Sequence, residues 1–213
     1  MHIPEAPTGI LAPFMDDFTA VLDSQQLPSS VVLGYSHGGF FTTWYALMHP
    51  ERVSALILLE PALFSDPADL RHRAALAREG KVEESLKVML RQVEPTVGLD
   101  EARANKAAGM IRKAINSDQA LAAELTARAE HPIPKERLKD LKMPVLLIGG
   151  GRSHVKWITT ELAALLPHAH VWWIAQATHG TITSPDYSSQ LTRIIDAFVA
   201  QVIPDSDDLA PGH

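Results

Sequence analysis

Six consecutive residues constrain this chain more than any others: Gly34-Tyr35-Ser36-His37-Gly38-Gly39. An apolar run, Val31-Val32-Leu33, leads into them, and a helix-like stretch from Phe40 to His49, stopped by Pro50, leads out. A G-x-S-x-G pattern between a buried strand and a helix marks a nucleophile elbow, a sharp turn that lifts a serine hydroxyl above the end of a sheet. The glycines have a steric reason. Neighbouring segments pass so close to such a turn that side chains there are expected to clash, while the serine itself holds an unfavourable backbone conformation. A glycine-rich turn built for a nucleotide needs other features, and they are missing: there is no G-x-G-x-x-G, no Lys-Ser/Thr after the glycines, and no acidic residue spaced as a ribose partner.

Around the elbow, strands and helices alternate. Ser54 to Glu60 (SALILLE) and Val145 to Ile148 (VLLI) are near-continuous apolar runs, the second opening into Gly149-Gly150-Gly151, and Val171 to Ala175 (VWWIA) reads as a further strand. Continuous rather than alternating apolar runs indicate strands covered on both faces, hence a parallel sheet. Phe14, Phe18, Val21 and Leu22 fall at helical spacing after Pro13, and a helix is expected from about Lys156 to Leu166. Leu191, Ile194, Ile195, Phe198 and Val202 form a last helix after Ser184-Pro185-Asp186, with proline at the first helical position. The alternation is an α/β signature.

Composition shifts between Asp66 and Pro134, where Ala, Arg, Glu and Lys dominate. Val82, Leu86, Met89 and Val93 make one helical stripe there, and Ala104, Ala107, Ala108, Ile111 and Ile115 another. The expected division is a core of residues 1–64 and 135–203, a helical lid of 65–134 over the carboxyl edge of the sheet, and an acidic, proline-containing, flexible tail of 204–213.

The 213 residues, 46% of them hydrophobic, suffice for one domain with a real core. A net charge of -6, from 19 basic and 25 acidic residues, points away from nucleic acid as a partner. No run approaches the roughly 18 apolar residues of a membrane span. Met1 to Pro13 lacks the basic start and apolar core of a signal peptide, so a cytoplasmic protein is expected. Cysteine is absent, which excludes disulfides and thiolate metal sites. Neither a metal nor a cofactor is expected.

Taken together, VVLGYSHGGFFTTWYALMHPERVSALILLEPA and the blocks from MPVLLIGG through WWIAQATHG to DAFV resemble the α/β-hydrolase family, in its lid-bearing serine hydrolase and esterase branch. The unmatched middle falls where that branch carries its variable lid. The resemblance implies that Ser36 is the nucleophile and that His179, in Ala177-Thr178-His179-Gly180 after the last strand, is the general base. It also implies that the backbone N–H of His37 donates to an oxyanion hole. The chemistry is coherent, since a serine hydroxyl is a weak nucleophile until an imidazole accepts its proton. Many members place an aspartate after the strand corresponding to Val145–Ile148, but Gly149-Gly150-Gly151-Arg152-Ser153-His154 contains no carboxylate. Some members carry the acid one strand earlier. Glu60, at the end of SALILLE, is therefore expected to orient His179; the plainer alternative is a structural strand-end carboxylate.

The family's sheet begins with several strands ahead of the helix at Phe14, and an early loop there supplies a second oxyanion donor. The resemblance thus implies a partial fold: a mostly parallel sheet of about four strands with flanking helices and a helical lid insertion. Val31–Leu33 is then expected to be an open edge prone to self-association. The expected function is a serine hydrolase acting on a small-molecule acyl substrate, whether carboxylic ester, lactone or related compound, through an acyl-enzyme. Serine rather than aspartate in the elbow argues against a dehalogenase or epoxide hydrolase. The alternative is a non-catalytic, hydrolase-like binding module. Phe40, Phe41, Trp44 and Tyr45 are expected to face the core rather than substrate.

Overall fold

Four of the apolar runs pair into one parallel sheet whose strands lie side by side in chain order. The computed structural model describes residues 11–166 and 168–203. The tail 204–213 expected to be flexible, and residues 1–10 of the N-terminal segment, lie outside the described residues. Helix α1 (Ala12–Ser24) precedes β1 (Ser30–Tyr35), α2 (His37–Met48) and β2 (Val53–Leu59). A run of helices follows: α3 (Pro67–Arg78), α4 (Val82–Val93), α5 (Pro95–Gly98), α6 (Glu101–Arg112), α7 (Asp118–Glu130) and α8 (Lys135–Leu138). The sheet then resumes with β3 (Val145–Gly150), α9 (Lys156–Leu165), β4 (His170–Ile174) and α10 (Pro185–Val202).

Side-chain alternation sorts the strand residues onto two faces. Leu56, Leu58, Val145 and Leu147 pack with Met15, Leu22, Phe40, Trp44, Ile158 and Leu162, from the helices α1, α2 and α9. Ala55, Ile57, Leu59, Leu146 and Ile148 point the other way, onto Ile194 and Phe198 of α10. Both faces of β2 and β3 are therefore covered, which is why those sequences read as unbroken apolar runs. Phe40, Phe41, Trp44 and Tyr45 are all buried, as their helical spacing implied.

The outer strands behave differently. Among the described residues β1 and β4 have one neighbour each. Leu33 is 44% exposed on β1, and Trp172 is 51% exposed on β4. The apolar run VWWIA suggested burial on both faces, but a strand with one neighbour and one covering helix leaves part of its surface to solvent.

Helices α3, α4, α6 and α7 have a core of their own, built from Leu70, Ala74, Ala77, Val82, Leu86, Ala108, Leu121 and Leu125. Three of them start on side-chain caps: Asp66 accepts from the Ala68 N–H, Asp100 from Arg103, and Ser117 from Ala120. No helix among the described residues is long and apolar enough to cross a membrane.

Because the strands are parallel, the segments leaving β1, β2, β3 and β4 all emerge at one edge of the sheet. Ser36, Glu60, Ser153 and His179 lie on those four segments, and that edge is where a site is to be sought.

Candidate active site

Ser36 follows β1 directly and caps α2 at φ 48°, ψ -116°, a left-handed conformation that a residue with a side chain adopts only under constraint. The constraint is visible. Its N–H donates to the Leu59 carbonyl at 3.1 Å, and its own carbonyl accepts from Gly39 N–H at 3.0 Å and Ala62 N–H at 2.9 Å. A Cβ added to Gly39 would lie 2.6 Å from Pro61 Cβ, and one on Gly34 would lie 2.6 Å from Gly39 Cα. The expected clash therefore holds at Gly34 and Gly39. It does not hold at Gly38, where an added Cβ meets nothing within 4 Å. Helix α2 also starts earlier than the sequence suggested, at His37 rather than Phe40, so the N–H groups of His37 and Gly38 have no carbonyl within the helix to accept them.

The structure brings Ser36, His179 and Glu60 into one hydrogen-bonded row. Ser36 Oγ lies 2.9 Å from His179 Nε2, and His179 Nδ1 lies 2.9 Å from Glu60 Oε2. A carboxylate only accepts, so Nδ1 carries the ring hydrogen and leaves the Nε2 lone pair facing the serine hydroxyl. Glu60 leaves β2 with φ 44° and its side chain is fully buried. Its Oε1 accepts from Gly150 N–H at 2.7 Å, and its Oε2 accepts from Ser153 Oγ at 2.8 Å. The loop that lacks a carboxylate thus contributes donors to one on the neighbouring strand.

Two further side chains, Tyr35 and Glu94, fix the His179 segment. The Tyr35 hydroxyl donates to the His179 carbonyl at 2.6 Å, and its ring stacks on the imidazole with centroids 5.4 Å apart. Burial, with the negative charges of Glu60 and Glu94 behind it, pushes the Tyr35 hydroxyl up to about 12, so it remains a donor. On the other side, Gly180 N–H donates to Glu94 Oε1 at 2.6 Å. Sequence reasoning missed Tyr35, Ser153 and Glu94. Tyr35 and Ser153 sit inside segments already singled out, whereas nothing in the helical region marks Glu94.

Ser36 and His179 open onto a cavity of about 320 Å³. Its walls come from both parts of the chain: Phe64, Trp157 and Ile158 from the sheet side, Asp69 and Val93 from α3 and α4. Two larger grooves, of about 550 and 540 Å³, run along β4 and α10 and beneath β3, away from Ser36. Volume alone would favour them. The convergence of a strained serine, an imidazole and a buried carboxylate favours the smaller one. Among the described residues no group of three or more His, Cys, Asp or Glu side chains is placed to hold a metal ion.

The elbow on a parallel sheet finds its match in comparison with known proteins: residues 3–183 fit the model of the alpha/beta hydrolase fold. The chain belongs to the alpha/beta hydrolase family. Among solved structures, a thermophilic esterase from Thermogutta terrifontis superposes with a TM-score of 0.71 at 19% identity, over 92% of this chain and 74% of that one. The enol-lactonase from Burkholderia xenovorans LB400 gives 0.68 at 20% identity, over 92% of this chain and 76% of that one. At such identities the likeness is one of fold. A stretch of 72 residues is 36% identical to the (lyso)-N-acylphosphatidylethanolamine lipase of Bos taurus, covering 32% of this chain and 21% of that protein. The match to this curated relative thus spans about a fifth of its length. The alpha/beta hydrolase members similar to this chain include an esterase, a lactonase and a lipase by name.

Proposed function

We propose that the protein is a serine hydrolase that cleaves a carboxylic ester, lactone or related acyl compound through an acyl-enzyme. The observation that carries the reading is the 2.9 Å contact between Ser36 Oγ, on its strained elbow, and His179 Nε2. Ser36 Oγ attacks the acyl carbonyl carbon while His179 Nε2 takes the hydroxyl proton. The carbonyl electron pair moves onto oxygen, to which the His37 N–H at the positive end of α2 donates. Collapse of the tetrahedral adduct breaks the bond to the leaving oxygen, which collects the proton from Nε2. Water then attacks the acyl-Ser36 ester with His179 Nε2 taking its proton; the bond from the acyl carbon to Ser36 Oγ breaks, Oγ takes the proton back from Nε2, and the acid departs. Throughout, Glu60 accepts from Nδ1–H and balances the charge of the imidazolium as it forms.

The helices α3 to α7 act in this reading as a lid over the reacting groups, supported by the presence of Asp69 and Val93 in the cavity wall. The names of the similar proteins agree with acyl chemistry, and the substrate sought is a small acyl compound that fits about 320 Å³. The test is turnover of a short-chain chromogenic ester by wild type and by Ser36→Ala, with circular dichroism to establish that both are folded. Hydrolysis that disappears in Ser36→Ala is the expected result. Undiminished hydrolysis in that variant refutes the assignment, and a folded but inert wild type favours a non-catalytic binding module.

A further inference from the structure

Helix α7 reads as an ordinary Ala/Arg/Glu helix, yet two of its charged side chains turn onto the elbow. Arg128 is 4% exposed. Its Nη1 lies 2.7 Å from His37 Nδ1, and its Nη2 donates to the Ala62 carbonyl at 2.8 Å and to Ser65 Oγ at 2.6 Å. One helical turn earlier, Glu124 Oε2 lies 2.9 Å from His37 Nε2. These contacts fix the roles. A guanidinium can only donate, so Nδ1 accepts, and the neutral ring carries its hydrogen on Nε2 and donates to Glu124. Burial, and then the charge of Arg128, push His37 down to about 4, in keeping with a neutral ring.

The partners of Arg128 are placed with respect to the chemistry. His37 is the residue after Ser36. Ala62 donates its own N–H to the Ser36 carbonyl, and Ser65 lies further along the same segment that follows Glu60. One guanidinium therefore ties the loop that carries Ser36 to the loop that carries Glu60, from a helix outside the sheet. Arg128 is not among the residues that line the cavity.

We propose that Arg128 is a positioning residue: its grip on His37 and Ala62 sets the backbone N–H that follows the nucleophile and keeps the helices α3 to α7 docked on the sheet through turnover. Separating α7 from the elbow would break four hydrogen bonds at once, three of them from the charged guanidinium of Arg128 and one between Glu124 and His37. The proposal rests on the serine hydrolase reading, because the aim of the His37 N–H matters only if an oxyanion forms at Ser36.

The experiment compares wild type, Arg128→Ala and Arg128→Lys in ester turnover, Ser36 labelling by a fluorophosphonate and inhibition by an alkyl boronic acid, which forms a tetrahedral adduct with the serine. Arg128→Ala should lower kcat roughly ten- to a hundred-fold, the scale of a misplaced catalytic group, with KM little changed. Boronate inhibition should weaken by a similar factor, and millimolar guanidinium should restore part of the loss. Arg128→Lys, which can reach some but not all of the partners, should fall between. Wild-type kcat and boronate inhibition in a folded Arg128→Ala overturn the proposal. So does a loss that neither guanidinium nor Arg128→Lys relieves. If Arg128→Ala does not fold, Glu124→Ala loosens the same imidazole and should also lower kcat rather than raise KM; an unchanged kcat there is equally decisive against it. A folded wild type that takes up no fluorophosphonate removes the serine hydrolase reading and the role of Arg128 with it, an outcome distinct from a labelled wild type indifferent to Arg128→Ala.

Discussion

Three donors converge on the Glu60 carboxylate: His179 Nδ1–H, Gly150 N–H and Ser153 O–H. An amide keeps one acceptor oxygen for these donors, and with that oxygen turned to Gly150 N–H it offers His179 a donor where it needs an acceptor, so Glu60→Gln should reduce kcat by about 10³-fold or more. Ser153→Ala removes one donor and leaves the other two. Its kcat should fall by roughly ten- to a hundred-fold, the scale of one hydrogen bond to a charged group and less than the loss in Glu60→Gln. Steady-state kinetics on both variants checks the order; equal losses would mean that Ser153 does more than support Glu60. Ser36, His179 and Glu60 could be picked from the sequence because each lies on the segment that follows a recognisable strand. Ser153 reads there as a bystander, since its contact with Glu60 exists only once β2 and β3 lie side by side. The glycines divide in the same way. Gly39→Ala presses a methyl into Pro61 and should cost about 1–3 kcal/mol in urea unfolding, whereas Gly38→Ala meets open space and should cost far less.

At the scale of elements, the contact between α2 and α7 makes stability depend on pH. Burial, aided by the charges of Arg128 and Arg73 and opposed by Glu124, lowers His37 from its ordinary 6.5 to about 4. Between those values the unfolded chain takes up a proton that the folded one refuses. The contribution of His37 is therefore present above about 6.5 and is lost as pH falls toward 4. The thermal midpoint of wild type should drop over that window by more than that of His37→Gln, which cannot titrate; parallel curves would contradict the assignment of the proton. The strands β2 and β3 were legible because burial on both faces leaves an unbroken apolar run. The helices α4 and α6 were legible from their stripes. Which charged residues of the helical region turn inward was not, because Glu94 and Arg128 are buried against partners far along the chain, Gly180 for the one and His37 and Ala62 for the other, rather than through any local pattern.

For the whole molecule, the order β1-β2-β3-β4 leaves β1 as an outer strand among the described residues, with Leu33 44% exposed on it. We propose self-association through this edge, since unpaired strand N–H and C=O groups next to apolar side chains recruit another chain. Sedimentation of wild type should show association that rises with concentration and is relieved by Leu33→Lys; a monomer at all concentrations would contradict it. The same order sets four segments at one edge of the sheet and so assembles the Ser36, His179 and Glu60 row, which in the reading proposed above makes Ser36 an activated nucleophile. The most direct measurement of that claim is labelling of the folded chain by a fluorophosphonate, followed by intact mass and peptide mapping. One phosphonyl group on the peptide containing Ser36 is the result expected, absent in Ser36→Ala and formed much more slowly in His179→Ala. A folded wild type that takes up no phosphonyl group, or takes it up on another residue, would mean that Ser36 is not the nucleophile.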